Sequence, residues 1–385
     1  MEQNYNFDEI RPYRDNEVHA VLVELLKEPQ LLGILAHIFP ETPIDLLVER
    51  LKSIRTVEEF QQEVILSFVN GIESKTSEGV TMLGTGNINP AKANLFISNH
   101  RDIVLDAAFL NTSFFKLGFP LTEIAIGDNL LIFKWITDLV KLNRSFIVRR
   151  NLPARQMLES SRLLSAYIRY TVSRSNRSVW IAQREGRAKD SNDRTQEALL
   201  KMLDMSGEGN FVDNMQELAI CPLTISYEYD PCDYLKAKEF QQRRDNPDYK
   251  KSQQDDLLNM KTGIEGYKGR IEYFLNGNID ADIAALNTQD LDKAEQVKQL
   301  AALIDKKIHL NYTVYANNRI SYDLLTGSNR FAGEYNVEEK LAFEAYLQRQ
   351  IDKIVLPDKD EVFLRTKMLE MYSNPLKNKL IAEGK

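Results

Sequence analysis

The stretch Asn94-Leu95-Phe96-Ile97-Ser98-Asn99-His100-Arg101-Asp102-Ile103-Val104-Leu105-Asp106 decides the fold. Its first five residues form a segment of strand length around the apolar Leu95-Phe96-Ile97. Polar residues follow at once, and an apolar stretch of helical character then begins with acidic residues in its first turn. A strand that hands over to a helix across a few polar residues is the repeating unit of an α/β sheet. Working outward, similar short runs stand at 80–83, 123–126, 145–148, 178–182 and 220–227, the middle ones bounded by Gly, Asn, Pro or charge. Helical patterns lie between them. The clearest spans 154–170, where Met157, Leu158, Leu164, Tyr167 and Ile168 form one stripe and Pro153 suits the first turn. The expectation is an α/β fold, a mixed sheet flanked by helices.

Apolar periodicity predicts helices over 18–26, 31–38 and 57–72, and the pattern becomes helical again over 261–310 and 337–354. The strand signal fades past Tyr234, and the charged segment 239–256 reads as a surface insertion or mobile loop. The expected organisation is a helical N-terminal region over 1–78, an α/β core over 79–232 and a mainly helical C-terminal region over 233–385. At about 100–200 residues per domain, 385 residues accommodate one large domain or two ordinary ones. A hydrophobic fraction of 43% is ample for a packed core and argues against global disorder.

The net charge of −7 argues against general nucleic-acid binding, whose usual footprint is a basic surface. That average hides an imbalance. From Lys141 to Arg194, 13 basic residues meet four acidic ones, a local +9 that leaves −16 for the remainder. This stretch is where an anionic ligand belongs, unless it is a solvated helix face. Cys221 and Cys232 are too few for a disulfide scaffold and match no zinc spacing, so two reduced thiols and no metal are expected. His19 and His37, in helical segments without ligand partners, read as structural. No run approaches the ~18 apolar residues of a membrane span, and the first residues have no apolar signal core. A cytoplasmic protein is expected, with room for contact with a membrane surface.

Chemistry concentrates at four places. His100 stands at the C-terminal edge of a strand, where side chains face a cleft. A carboxylate on one ring nitrogen would fix its tautomer and leave the other to take a proton from a hydroxyl. Asp106 and Asp102 are the candidates, and Asp102 is also explained as a helix cap. The triplet His100-Arg101-Asp102 opens a protein-kinase catalytic loop as well, but Ala107 stands where that loop needs Asn and no Asp-Phe-Gly follows. The second place is Trp180-Ile181-Ala182-Gln183-Arg184-Glu185-Gly186-Arg187, where Gly186 permits close backbone approach and the arginines offer forks suited to phosphate. The third is Phe146-Ile147-Val148-Arg149-Arg150, and the fourth Cys221-Pro222-Leu223-Thr224-Ile225-Ser226-Tyr227-Glu228, whose Pro222 suits a strand start or edge.

In order and spacing these four pieces resemble the glycerophospholipid acyltransferase family, which includes glycerol-3-phosphate, dihydroxyacetone-phosphate and 1-acylglycerol-3-phosphate acyltransferases. Asn99-His100 with Asp106 is similar to the family's histidine-plus-aspartate block, and Phe146 to Arg149 to its apolar strand ending in Arg. Glu185-Gly186-Arg187 resembles its Glu-Gly-(Thr)-Arg turn, and Pro222 to Glu228 its Pro-led strand. The resemblance covers roughly 95–232. It departs in two ways: five residues rather than four separate His100 from Asp106, and the third block lacks the Thr.

The resemblance implies the acyltransferase-like core and an enzyme in which His100 is general base, oriented by Asp106 or Asp102. The acceptor hydroxyl would attack the thioester of acyl-CoA or acyl-carrier protein. A glycerol-phosphate-type acceptor would sit on Arg149, Glu185, Gly186 and Arg187, with Arg101 and Arg150 as secondary candidates. No cofactor is expected. A peripheral place on the inner face of the cytoplasmic membrane follows from a lipid product. The alternatives are an O-acyltransferase of another lipid-precursor hydroxyl, or an inactive lipid- or carrier-protein-binding module. The Phe- and Leu-rich stretch 107–135 reads either as core beside the site or as an interfacial patch.

Overall fold

The computed structural model describes residues 5–288 and 290–385. Seven strands form one sheet in the order β1 (Val80–Leu83), β7 (Ile271–Leu275), β6 (Ile220–Tyr227), β2 (Leu95–Ser98), β5 (Val179–Ala182), β3 (Glu123–Gly127) and β4 (Ser145–Val148). From β6 through β4 every neighbour runs parallel, whereas β7 is antiparallel to β6 and parallel to β1. The sheet is therefore mixed, with helices on both faces.

The two-residue period of a strand explains the two faces. On one, Leu95 and Ile97 of β2 pack with Val179, Ile181 and Ile220. On the other, Phe96 packs with Trp180, Leu223 and Ile225. All four residues of β2 are buried, which is why this run reads as continuously apolar rather than alternating. The N-terminal helices Asp15–Leu25, Pro29–Ile38 and Ile44–Lys52 and the segment from Val57 close a separate core around Val18, Leu22, Leu47, Leu51 and Phe60. Helix Ala154–Arg169 buries Leu164, Tyr167 and Ile168, but its Leu158 is exposed.

Two expectations fail on the C-terminal side. Residues 261–310 are not uniformly helical: β7 lies among them and joins β1 to β6. Gly269 and Gly277, at φ +64° and +83°, bracket it, and Ile271, Tyr273 and Leu275 alternate inward. The sheet thus reaches beyond 232. The segment 239–256 is largely helical, since Asp233–Asp245 and Gln253–Glu265 cover most of it. Its charges are tied into the fold: Glu239 pairs with Lys189, and Gln241 donates to the Asp358 carbonyl at 2.6 Å. Of the stretch 107–135, Phe109, Leu110 and Phe114 are core, whereas Phe115, Leu117 and Phe133 are exposed. No helix among the described residues is long and apolar enough to cross a membrane.

Candidate active site

Parallel neighbours bring the ends of β2, β3, β4 and β5 to one edge of the sheet, the edge at which α/β sheets bind ligands. His100 follows β2 there. Asn99, completely buried, anchors the turn to β6: its Nδ2 donates to the Ile225 carbonyl and its Oδ1 accepts from the Ile225 N–H, each at 2.8 Å. His100 Nδ1 lies 2.8 Å from Asp106 Oδ2, and the Arg101 backbone N–H donates to that same oxygen at 2.6 Å. An ionised carboxylate only accepts, so Nδ1 carries the ring proton and Nε2 is the basic nitrogen. The imidazole meets the Trp180 ring edge-on at 5.9 Å, and Trp180 Nε1 donates to Ser98 Oγ at 3.0 Å. The Tyr273 hydroxyl of β7 donates to the Asp106 carbonyl at 2.8 Å.

Asp102 has a different place. Its Oδ1 accepts from the N–H groups of Val104 and Leu105 at 2.9 and 2.8 Å, just ahead of helix Leu105–Lys116. Its other oxygen packs beneath Gly263 of helix Gln253–Glu265, where a Cβ would collide with it. Burial, followed by the nearby Asp106 charge, raises the Asp102 carboxyl, and Arg187 opposes the shift. Asp106, and not Asp102, is the carboxylate in hydrogen-bond contact with His100.

A cleft of about 760 Å³ opens beside His100. Ile126, Leu130, Met157, Leu164, Leu199 and Met202 supply an apolar side, and Arg149, Arg150, Arg184 and Arg187 a cationic one. Gly186 takes φ +69° in an exposed turn, and Glu185 projects outward with its side chain 67% exposed, 3.5 Å from Arg150 Nη1. Gly127 leaves room for the Arg150 guanidinium, which a Cβ there would strike. Arg187 donates to Asn259 Oδ1 at 2.9 Å. Burial works against its charge, but Cys232, Asp230 and Asp102 more than offset it and hold it above the ordinary guanidinium value.

His100, Arg149, Arg150, Glu185, Gly186 and Arg187 therefore line one cleft. Arg101 does not. It turns inward, donates to Asp193 Oδ2 at 2.7 Å and lies over the Tyr312 ring, beside a separate cavity of about 30 Å³. A buried cation needs a buried counter-charge, and Asp193 takes Arg101 away from the cleft. Sequence reasoning also missed Lys236, Asp256 and Asn259, which line the cleft from beyond the expected core. The alternation of Ile271, Tyr273 and Leu275 between two glycines was the available signal that this region joins the sheet. Nothing local marks Asn259. Among the described residues no cluster of metal-ligating side chains occurs.

Neither models of known protein families nor curated proteins match the chain. Among solved structures it is similar to the crystal structure of the 1-acyl-sn-glycerophosphate (LPA) acyltransferase PlsC from Thermotoga maritima. The identity is 9% and the TM-score 0.38, over 75% of this chain and 94% of that one. A likeness at that level carries no argument about activity.

Proposed function

We propose that the protein is an acyltransferase that moves a fatty acyl group from a thioester, acyl-CoA or acyl-carrier protein, to a hydroxyl of a glycerol-phosphate-type acceptor. The observation that carries this reading is the His100–Asp106 pair opening on a cleft that is apolar on one side and rich in guanidinium groups on the other. An acyl chain and a phosphate ester need those two surfaces.

In this reading His100 Nε2 takes the proton of the acceptor hydroxyl as its oxygen attacks the thioester carbonyl carbon. The carbon–sulfur bond then breaks, and the leaving thiolate takes the proton back from the imidazolium. Asp106 stabilises that imidazolium through Nδ1. Direct transfer is favoured over a cysteine-bound intermediate. Burial pushes Cys221 up to about 12 and Cys232 up to about 11, so neither is a thiolate near neutral pH. Arg187 and Arg149 hold the acceptor phosphate, with Arg150 and the Glu185-Gly186 turn beside them. The lipid product places the protein at a membrane surface, where exposed Phe115, Leu117 and Phe133 provide apolar contact.

The test offers the purified protein a labelled acyl thioester with glycerol-3-phosphate or 1-acylglycerol-3-phosphate. Label is expected in the matching product and lost in H100A. Label in neither product, or undiminished turnover by H100A, would overturn the reading.

A further inference from the structure

The cations around the cleft have partners, with one exception. Arg149 pairs with Glu9 and Arg150 with Glu185, while Lys189, Lys236 and Lys251 pair with Glu239, Asp230 and Asp256. Arg187 has Asn259. Among the described residues Arg184 makes neither an ion pair nor a hydrogen bond, although it lines the cleft and its Nε is buried. The carboxamide of Gln183, the preceding residue, is fully buried and likewise has no partner on either atom. Folding strips water from such donors, and natural structures leave few of them unmatched. A guanidinium in this state, half-buried at the end of β5, is prepared for an oxyanion that arrives with a ligand.

We propose that Arg184 is a phosphate-binding residue of the cleft, additional to Arg187, and that its anion is a phosphate ester carried by one of the two substrates. The proposal rests on the acyl-transfer reading, in which both sources are present: the phosphate of the acceptor, and the phosphate of the pantetheine arm common to coenzyme A and carrier proteins. Two phosphates in one cleft explain why its guanidinium groups outnumber what a single glycerol phosphate engages. The turn Arg184-Glu185-Gly186-Arg187 then presents its two arginines to separate anions, with Glu185 directed outward beside Arg150.

The test measures equilibrium binding of glycerol-3-phosphate and of 4′-phosphopantetheine, separately, to the full-length wild type, R184Q and R184K. Loss of a charged hydrogen-bond donor predicts that R184Q weakens one ligand about tenfold to a hundredfold, with R184K between the two. Weakening of glycerol-3-phosphate assigns the anion to the acceptor, and weakening of phosphopantetheine assigns it to the donor. Because the Arg184 side chain makes no bond to any described residue, the melting temperature of R184Q is expected to match wild type. Unchanged affinity for both ligands, no binding of either by wild type, or a fall of more than about 5 °C in R184Q would each overturn the proposal. Binding that depends on Arg184 in a protein that transfers no acyl group would refute the enzymatic reading and leave this assignment standing.

Discussion

Asp106→Asn tests the proposed relay and has an outcome that the geometry restricts. Two donors converge on Asp106 Oδ2, the His100 Nδ1–H and the Arg101 backbone N–H, at 2.8 and 2.6 Å. The side chain of an asparagine must turn its carbonyl oxygen to that point, because an amide N–H there would face the Arg101 N–H. The imidazole therefore keeps its tautomer, and what it loses is the negative charge. Substitutions that force the wrong tautomer of a catalytic histidine cost roughly 10⁴ in rate. Here the loss is that of a charge-assisted hydrogen bond, about 1.5–3 kcal/mol, or between about tenfold and about 150-fold in kcat. The assay is steady-state acyl transfer from a labelled thioester at saturating acceptor, beside Asp102→Asn. Asparagine at 102 still accepts from Val104 and Leu105, so D102N is expected to stay within about threefold of wild type. A folded D106N with more than half of wild-type kcat, or a D102N slower than D106N, would refute the relay.

Other outcomes follow from particular contacts. Glycine to alanine inside a helix ordinarily stabilises by about 1 kcal/mol, but a Cβ at Gly263 lands on Asp102, so G263A is expected to lower the melting temperature, with a cost of about 1–3 kcal/mol. Arg101→Met leaves Asp193 buried without its counter-charge and is expected to lose about 3–5 kcal/mol of stability in denaturant titration, while KM for the acceptor stays within about twofold. Burial pushes Asp305 up to about 6, above its unfolded value, so its stabilising contribution is complete below the unfolded value and is lost as pH rises through about 6. Between pH 7 and pH 4 the wild type should therefore gain on the order of 2 kcal/mol over D305N, and a pH-independent difference would refute this.

Much of this protein is local, and what is local is legible along the chain. The runs that became β1 to β6 show themselves as short, mostly apolar segments set off by Gly, Asn, Pro or charge, and most plainly where the strand is fully buried, as Leu95, Phe96 and Ile97 illustrate. Helices with one apolar stripe are equally plain. The charged turn 184–187 and the His100 loop are read from residue type and from their position after a strand. The local +9 also lies where four arginines line the cleft.

Tertiary structure decided what depends on distant partners or on side-chain direction. β7 is five residues long and becomes a strand because β6 and β1 lie on either side to pair with it, an arrangement made 44 residues after Tyr227. Spacing alone admits both Asp102 and Asp106 beside His100. The turn resolves the choice, because the Arg101 N–H fixes the Asp106 carboxylate while the helix start and Gly263 hold Asp102 away. Arg101 and Arg184 look alike in sequence, yet Asp193 draws the first inward and none of the described residues partners the second. Sequence periodicity carries the solvent and sheet faces of each element, since these repeat every 2 or 3.6 residues. An irregular turn has no such period, and its side chains take the directions that packing and buried counter-charges impose.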